Sequence, residues 1–269
     1  MQSFHTPRAR RARAGLVAGL VAVLLLLGGL AAVLLWPSGD PAPDAGPGAG
    51  KPVDPAGERA AEAALATRPM LALPAEATAP QPLATRPATA VLRLPPPTGD
   101  IGGVPAGFPR TGPGAVAALA ALTTQGLRGA DPEVYMRVYR GLAPAGAPPP
   151  EQAQMVTALR TVRSTAGLPP TGTYPGLTLG WQPLQGQIKG ELDDGRYVVA
   201  CVLGQFSANY QGQVGVYGVG DCQAMRWVDA PPVGGPGQWM IAPGPAAAPS
   251  PHAWPGSQDS VNAGFQELR

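Results

Sequence analysis

The sequence predicts an α+β domain over residues 101–245, with three helices on one face of an antiparallel sheet. Two observations lead to this fold class. Apolar residues first recur at helical spacing in three consecutive segments, and the pattern then changes to the alternation of strands separated by turn residues. Helices followed by a meander of strands are typical of α+β folds, and a segment of this length can bury one hydrophobic core.

Each predicted helix begins or ends at a recognisable signal. Thr111 is placed to cap the first helix, and Asp131, with a proline directly after it, is placed to cap the second. The third helix is predicted over residues 150–165, and a glycine and two prolines that follow this range end it. Arg160 and Arg163 lie at the flank of its apolar stripe.

Four strands are predicted, with turn signals between them. Asp193-Asp194-Gly195 is a turn between the first two strands. Glycines at 215, 218 and 220 in the third strand indicate either a β-bulge or a surface that is approached closely by something else. The predicted strands cover residues 178–191, 196–208, 214–228 and 238–241.

The two cysteines, Cys201 and Cys222, fall on the two clearest strands. If these strands form a hairpin that turns at residues 210–213, the numbers of opposed residues add up to 423, which is also the sum for the two cysteines. The thiols then face each other at a separation that permits a disulfide. The alternative is two buried thiols that act as small core residues. A metal site is not expected, because no histidine lies near enough to complete four ligands.

Residues 14–36 predict a single transmembrane helix with a cytoplasmic N-terminus. The 23 residues carry no charge and are long enough to cross a bilayer. Four arginines precede the span in the basic stub, residues 1–13, and orient it. A cleaved signal peptide is the rival interpretation, but its apolar region should be shorter and should end in small residues. The orienting arginines are Arg8, Arg10, Arg11 and Arg13.

Proline-rich segments are predicted on both sides of the domain. Residues 37–100 include 14 prolines among 64 residues and are interpreted as a disordered linker. Within it, residues 57–68 have the composition of a transient helix, or of a short helix that docks elsewhere. Residues 246–269 form a Pro-rich tail whose last part is compatible with a short helix that docks on the domain or frays.

The sequence contains no recognisable catalytic motif and predicts no enzyme and no cofactor. The only histidines are His5, in the stub, and His252, which is predicted to be solvated in the tail, so a Ser-His-Asp triad is not expected. Glu191 and Asp221 are predicted to be solvated acids, and Asp193 belongs to a turn. Aromatic residues on the strands are predicted to be core rather than pocket residues. They are Tyr217, Trp227 and Trp239.

The charge of the outer part argues against nucleic-acid binding. The whole chain has a formal net charge of +2, but without the four arginines of the stub 15 basic and 17 acidic residues remain, a net charge of −2. A surface of this kind does not attract phosphates. The expected partners are the lipid bilayer and other envelope proteins or further copies of this chain.

The stretch that begins GVPAGFPRT and continues into GAVAA resembles a signature of actinobacterial membrane-anchored proteins of unknown function. These proteins accompany integrative and conjugative elements, and they share the order of basic stub, span, Pro-rich linker, helices and strands. The layout also resembles assembly factors of type IV secretion and conjugal-transfer machines. The residues that carry the signature are Gly103, Pro105, Gly107, Phe108, Thr111 and Gly114.

The resemblance implies a nuclear transport factor 2-like (cystatin-like) outer domain, in which helices pack on a curved antiparallel sheet. It also implies a protein-interaction subunit of a conjugative-transfer or secretion-type envelope complex, at the cell membrane with the C-terminal domain outside. Two alternatives are a small-ligand-binding or enzymatic domain that uses a cone-shaped cavity, and a structural tether to the cell wall. A deep pocket with convergent acids or a Tyr–Asp pair favours the ligand-binding alternative, whereas a filled cone does not.

Overall fold

The computed structural model describes residues 54–86, 90–232 and 235–269. The predicted stub and transmembrane helix lie outside these residues. In the described part of the chain, no helix has both the length and the apolar composition needed to cross a membrane. The described helices are α1 (Pro55–Thr67), α2 (Gly112–Gly126), α3 (Pro132–Gly141), α4 (Gln154–Thr165) and α5 (Gln258–Asn262).

The fold is mixed α+β, as predicted. Its curved sheet is antiparallel except at one edge, where the last two strands pair in parallel. The strands of this sheet lie in the order β1-β8-β4-β5-β6-β7, and β2 and β3 form a separate hairpin. The strands are β1 (Val91–Leu92), β2 (Gly99–Ile101), β3 (Val104–Ala106), β4 (Leu177–Leu192), β5 (Tyr197–Tyr210), β6 (Gln213–Val228), β7 (Gln238–Ile241) and β8 (Gln266–Leu268).

The hairpin of β5 and β6 is the centre of the sheet, and its register agrees with the prediction from the sequence. Tyr210 pairs with Gln213 across a two-residue turn, and the pairing continues without a shift to Tyr197 opposite Arg226. Gln211 and Gly212 have positive φ values of 52° and 84°, which is the conformation of a type I′ turn. The glycines of β6 therefore do not produce a bulge.

The three predicted helices form a helical layer, α2–α4, on one face of the sheet. The side-chain oxygens of Thr111 and Asp131 accept hydrogen bonds from the first turns of α2 and α3, as predicted. Helix α2 is buried on nearly all sides, because α3, the β2–β3 hairpin and the sheet surround it. The even-numbered residues of β5, such as Val198 and Val202, belong to this core.

The opposite face of the sheet is also covered, which the sequence analysis did not predict. We call the covering residues the terminal layer: α1, residues 68–84 and residues 243–265. Tyr197 and Val199 of β5 pack against Ala66 of α1, and Cys201 and Leu203 pack against the tail. Every residue from Tyr197 to Gly204 is consequently buried.

The predicted linker is therefore too long. Its described part contains α1, a 3₁₀ turn at Ala75–Thr78 and the strand β1. Asp54 caps α1, with Pro55 at the first helical position, and the helix docks instead of being transient because its C-terminal turn is held to the sheet. The physical reason is burial, because the odd-numbered residues of β5 from Tyr197 to Leu203 are apolar and need a cover.

Polar contacts fix α1 at the end of the sheet where β4 turns into β5. Arg226 forms ion pairs with Glu62 of α1 and Asp193 of the turn, and its guanidinium lies 5.4 Å from the centre of the Tyr197 ring. The ammonium of Lys189 donates to the carbonyl oxygens of Ala66 and Arg68, where a cation complements the negative end of the helix.

The tail is ordered as a strap over β6 that ends in α5 and β8. The predicted terminal helix is only five residues long, and the chain then continues as a strand that pairs with β1 and β4. Phe265 is 1% exposed, so this end of the chain docks on the domain rather than frays.

Candidate functional site

Cys201 and Cys222 form the predicted disulfide, and it lies under the terminal layer. The two residues are directly opposed across β5 and β6, with 4.1 Å between their α carbons. They are 0% and 5% exposed. The sulfur of Met70, from the segment after α1, covers the bond at 3.4 Å from the sulfur of Cys222. The disulfide is therefore a buried structural cross-link and not an exposed redox group.

A buried polar cluster lies on the other face of β6, inside the helical layer. The hydroxyl of Tyr135 donates to a carboxylate oxygen of Asp221 at 2.7 Å, and the amide of Gln223 donates to the second oxygen at 3.0 Å. Tyr135 and Asp221 are 0% and 1% exposed. The prediction of a solvated Asp221 is wrong, because α3 covers this position of the strand. Glu191, the other acid predicted to be solvated, is exposed.

Burial is the main cause of the raised pKa values in this cluster. It raises the pKa of Asp221 to about 6, although hydrogen bonds from Tyr135, Gln223 and the backbone of Cys222 act in the opposite direction. Burial and the neighbouring carboxylate raise the pKa of Tyr135 well above its usual value, so this hydroxyl stays protonated and remains a donor. A carboxyl group with a raised pKa and a tyrosine beside it is the kind of pair found at functional sites.

His252 is half-buried and has a hydrogen-bond partner at each ring nitrogen, whereas the prediction from the Pro-rich tail was a solvated side chain. Its Nδ1 accepts a hydrogen bond from the backbone N–H of Gly220 at 2.9 Å, and the amide of Gln154 from α4 lies 3.2 Å from its Nε2. Burial lowers the pKa of His252 to about 4. The neutral ring is required here, because only an unprotonated Nδ1 can accept from Gly220.

His252 and Asp221 are expected to affect acid stability in opposite directions. The folded-state pKa of His252 is below the unfolded value of 6.5, so its contribution to stability is complete above pH 6.5 and is lost as the pH falls towards 4. The folded-state pKa of Asp221 is above the unfolded value of 3.8, so its contribution is complete below pH 3.8 and is lost as the pH rises through 6.

When either residue is replaced, the pH-dependent contribution of the other to the free energy of unfolding should become visible between pH 7 and 4. Relative to the wild type, we expect acidification to stabilise His252→Gln and to destabilise Asp221→Asn, each by about 2–3 kcal/mol. Urea unfolding of the full chain at several pH values measures this. The double variant is the control, and it should follow the wild type; single variants with parallel pH profiles would contradict the assignment.

The outer edge of β6 presents backbone groups, and their direction follows from two contacts. Gly220 donates outwards to His252, and the carbonyl of Ala224 accepts outwards from Ala242. Because the direction alternates along an antiparallel strand, the even-numbered residues of β6 face away from β5. In the described part of the chain, no hydrogen bond is made outwards by Val214 or Val216, and Gly218 is buried beneath the tail. We call Val214 and Val216 the β6 edge.

The corresponding edge of β4 offers less. By the same alternation, its odd-numbered residues from Leu177 to Pro183 face away from β5, but Leu177 already donates to Tyr174. Pro183 has no N–H, and a bulge follows it. Proline and bulges protect edges from pairing. The β6 edge has neither: residues 213–220 contain no proline and no charge, and Val214 is 63% exposed.

Gly218 and Gly220 allow the tail to cross β6, so the second interpretation of these glycines is confirmed. A Cβ atom at Gly218 would lie 1.6 Å from the carbonyl oxygen of Ala253, and one at Gly220 would lie 2.3 Å from the hydroxyl of Ser250. The tail thus ends the open part of the edge at Gly218.

Gly218→Ala is expected to displace the tail and to lower the free energy of unfolding by about 1–3 kcal/mol, because backbone atoms must move to admit the methyl group. Hydrogen exchange of residues 249–257 and urea unfolding measure these effects. Gly215→Ala is the matched control on the same strand, where the added atom meets only a tyrosine ring at 3.4 Å. Equal exchange in the two variants would contradict the prediction.

Three cavities formed by the described residues lie at the surface or are small. A groove of about 560 Å³ is lined mainly by apolar side chains, including Leu83, Leu184 and Leu268. A crevice of about 390 Å³ lies between the two segments of the terminal layer and reaches His252. A pocket of about 40 Å³ adjoins Arg163. Neither Tyr135 nor Asp221 lines any of these three. Among the described residues, no group of three His, Cys, Asp or Glu side chains could hold a metal.

The signature residues have local structural roles around the start of α2. Gly103 and Gly107 have positive φ values of 83° and 73°, and Gly103 lies in the turn between β2 and β3. Phe108 is buried in the core, and Pro105 belongs to β3. Thr111 caps α2 by accepting from Gly114, which also lies against the carbonyl of Pro109.

The other residues singled out from the sequence divide into two groups. The orienting arginines, Arg8, Arg10, Arg11 and Arg13, lie outside the described residues. The aromatic residues on strands are core residues: Tyr217 packs against Val162, and the rings of Trp227 and Trp239 meet edge to face at 5.7 Å. Tyr135 was not predicted as a partner of Asp221. Their hydrogen bond is the only buried one between a tyrosine and a carboxylate among the described residues.

Comparison with protein-family models, with curated proteins and with solved structures finds no match.

Proposed function

We propose that this chain is a membrane-anchored envelope protein whose outer domain binds other protein subunits, in a conjugative-transfer or secretion-type complex. The domain is of the nuclear transport factor 2-like type. Three consecutive helices followed by long antiparallel strands, with the helices on one face of a curved sheet, support this fold. The charge-free segment 14–36 and the arginines before it support the anchor.

The observation that carries the proposal is how the space between helices and sheet is filled. Tyr135 and Asp221 point into this space, but they bond to each other and are covered by packed side chains. A substrate or ligand needs access to such groups. Interaction through the surface of the domain requires no such access, and the uncovered backbone groups of the β6 edge are available for it.

The disulfide supports a location outside the cytoplasm. Disulfides form and persist in oxidising compartments, and a buried cross-link in the central hairpin is a structural one. The topology can be tested with a cysteine introduced into the turn at Gln211 of the full chain. A membrane-impermeant maleimide should label it in intact cells; labelling only after lysis would contradict the proposed orientation.

The interaction itself is tested by chemical cross-linking in native membranes, followed by purification of the tagged full chain. We expect envelope proteins or further copies of the chain to be recovered. Recovery of the monomer alone would overturn the proposal.

The ligand-binding alternative rests on the Tyr135–Asp221 pair. It requires the helical layer to open, so a ligand should protect residues of α3 from hydrogen exchange in the wild type and not in Asp221→Asn. Asn is nearly isosteric with Asp, so this variant removes the charge while keeping the packing.

A further inference from the structure

We propose that Met70 is a site of oxidative modification, and that its oxidation to the sulfoxide opens the disulfide between Cys201 and Cys222 to reduction. A peroxide is the oxidant, and a dithiol is the reductant. Neither step depends on the proposed role of the domain in protein interaction.

Solvent exposure distinguishes Met70 from the other methionines. The chain contains six methionines, and five of them lie among the described residues. Four of these five are at most 3% exposed, whereas Met70 is half-buried. Its side chain lines the crevice of about 390 Å³ between the two segments of the terminal layer. An oxidant in solution therefore reaches Met70 before the other described methionines. The buried ones are Met136, Met155, Met225 and Met240.

The sulfur of Met70 is part of the cover of the disulfide. Its Sδ lies 3.4 Å from the sulfur of Cys222 and 3.8 Å from the sulfur of Cys201. These distances are similar, so the thioether lies over the bond rather than at one of its ends. Because Met70 contacts the disulfide and also lines the crevice, it separates the bond from solvent on this side.

The surroundings of Met70 suit a thioether and not a sulfoxide. Its side chain packs against an apolar cluster in which no side chain has an N–H or O–H group to donate to a sulfoxide oxygen. A buried polar group without a partner costs free energy, so the oxidised side chain is expected to turn into the crevice and uncover the bond. The buried members of the cluster are Cys201, Leu203, Cys222, Ala253, Ala263 and Phe265, and Leu73 and Ala247 pack against them.

The two chemical steps follow one another. In the first, the sulfur of Met70 attacks hydrogen peroxide, the O–O bond breaks, an S–O bond forms and water leaves. In the second, a thiolate of the dithiol attacks the sulfur of Cys222, and Cys201 leaves as a thiolate that takes up a proton. The second thiol of the reductant then displaces Cys222. The chain gains two thiols, and the dithiol becomes a disulfide.

Peptide mapping of the full chain by mass spectrometry, after limited treatment with hydrogen peroxide, locates the modification. Met70 should be oxidised at least tenfold faster than Met155, which lies on α4 and is 3% exposed. A rate at Met70 no higher than the rate at Met155 would overturn the proposed site.

The rate of reduction tests the cover. The full chain in detergent, freed of peroxide, is treated with dithiothreitol without denaturant, and its free thiols are counted with a maleimide mass tag. The chain has only two cysteines, so every counted thiol comes from this bond. Peroxide-treated wild type should be reduced at least tenfold faster than untreated wild type. Equal rates would show that Met70 does not control access to the disulfide.

Three variants assign the effect to one side chain. Met70→Leu keeps an apolar cover of similar size that peroxide does not oxidise, so it should be reduced slowly with or without peroxide. Met155→Leu is the matched control and should respond to peroxide as the wild type does. Met70→Gln places a polar group at the position of the sulfoxide and should be reduced rapidly without peroxide. Faster reduction of peroxide-treated Met70→Leu would refute the assignment to Met70.

Hydrogen exchange of β5 separates local uncovering from unfolding. This strand is paired with β4 on one side and with β6 on the other. If only the segment around Met70 moves, the amides of β5 stay protected in Met70→Gln. Loss of protection throughout β5 would mean that the reductant acts on the unfolded chain, and the proposed local opening would be wrong.

Discussion

Arg163→Ala is expected to lower the free energy of unfolding by about 3–5 kcal/mol, the largest effect of any single substitution discussed for this protein. Arg163 is 2% exposed, and its guanidinium donates to carbonyl oxygens only. The substitution removes the donor from all of these acceptors, of which the carbonyl of Ala130 is buried, and it opens a cavity beside α4. The acceptors are the carbonyls of Pro169 and Gly172, both at 2.7 Å, Ala130 at 3.1 Å and Gly129 at 3.4 Å.

Two variants of α4 and urea unfolding of the full chain check this expectation. Arg160→Ala removes an exposed arginine from the same helix and should change the free energy of unfolding by less than about 0.5 kcal/mol. Arg163→Lys keeps the charge but loses the planar fork of donors, and it should fall between the two. A loss in Arg163→Ala no larger than that in Arg160→Ala would refute the role of the buried guanidinium.

The double variant Cys201→Ala/Cys222→Ala is expected to be less stable than the wild type by about 2–4 kcal/mol. Loss of the cross-link increases the conformational freedom of the unfolded chain, and the closed loop of 21 positions gives an effect of this size. Thermal or urea unfolding measures it.

Reduced wild-type protein is the control, because it retains the sulfur atoms that fill the space beneath Met70. It should show most of the loss, and the difference between it and the alanine variant is then the effect of the cavity. Reduced protein as stable as the oxidised form would contradict the expected contribution of the bond.

Local signals in the sequence predicted the central hairpin and the helix starts correctly. The cysteines and the turn at Gln211 determine one register, and every residue of β5 then has a defined partner on β6. Thr111 and Asp131 cap helices because their side chains bond to backbone N–H groups within three residues of themselves. Such interactions depend on near neighbours in the chain, and a single sequence contains them.

The terminal layer could not be predicted in the same way, because it forms between segments that are far apart in the chain. Proline-rich composition argues against helices and ladders, but it does not prevent an extended strap from packing on a sheet, and this is how the tail carries His252 to Gly220. One signal was present in the sequence. The stretch from Tyr197 to Leu203 is apolar on both of its faces, which is typical of a strand that is buried on both sides.

The candidate site was predicted only in part for the same reason. Asp221 looks like an isolated acid on a strand, and nothing in the sequence brings Tyr135, 86 residues away, to its carboxylate. The burial of Arg163 could not be predicted for a similar reason. The loop after α4 folds back and covers its side chain, whereas Arg160, three residues earlier, remains exposed.

The attachment of α1 also has a mechanical consequence. Glu62, Ala66 and Arg68 are clasped by Arg226 and Lys189 at the end of the sheet where β4 turns into β5. A force transmitted through α1 therefore reaches the sheet at this end, through the contacts of Arg226 and Lys189. The β6 edge lies at the opposite end of the 14-residue strand β5, so a force that enters through α1 does not act on it directly.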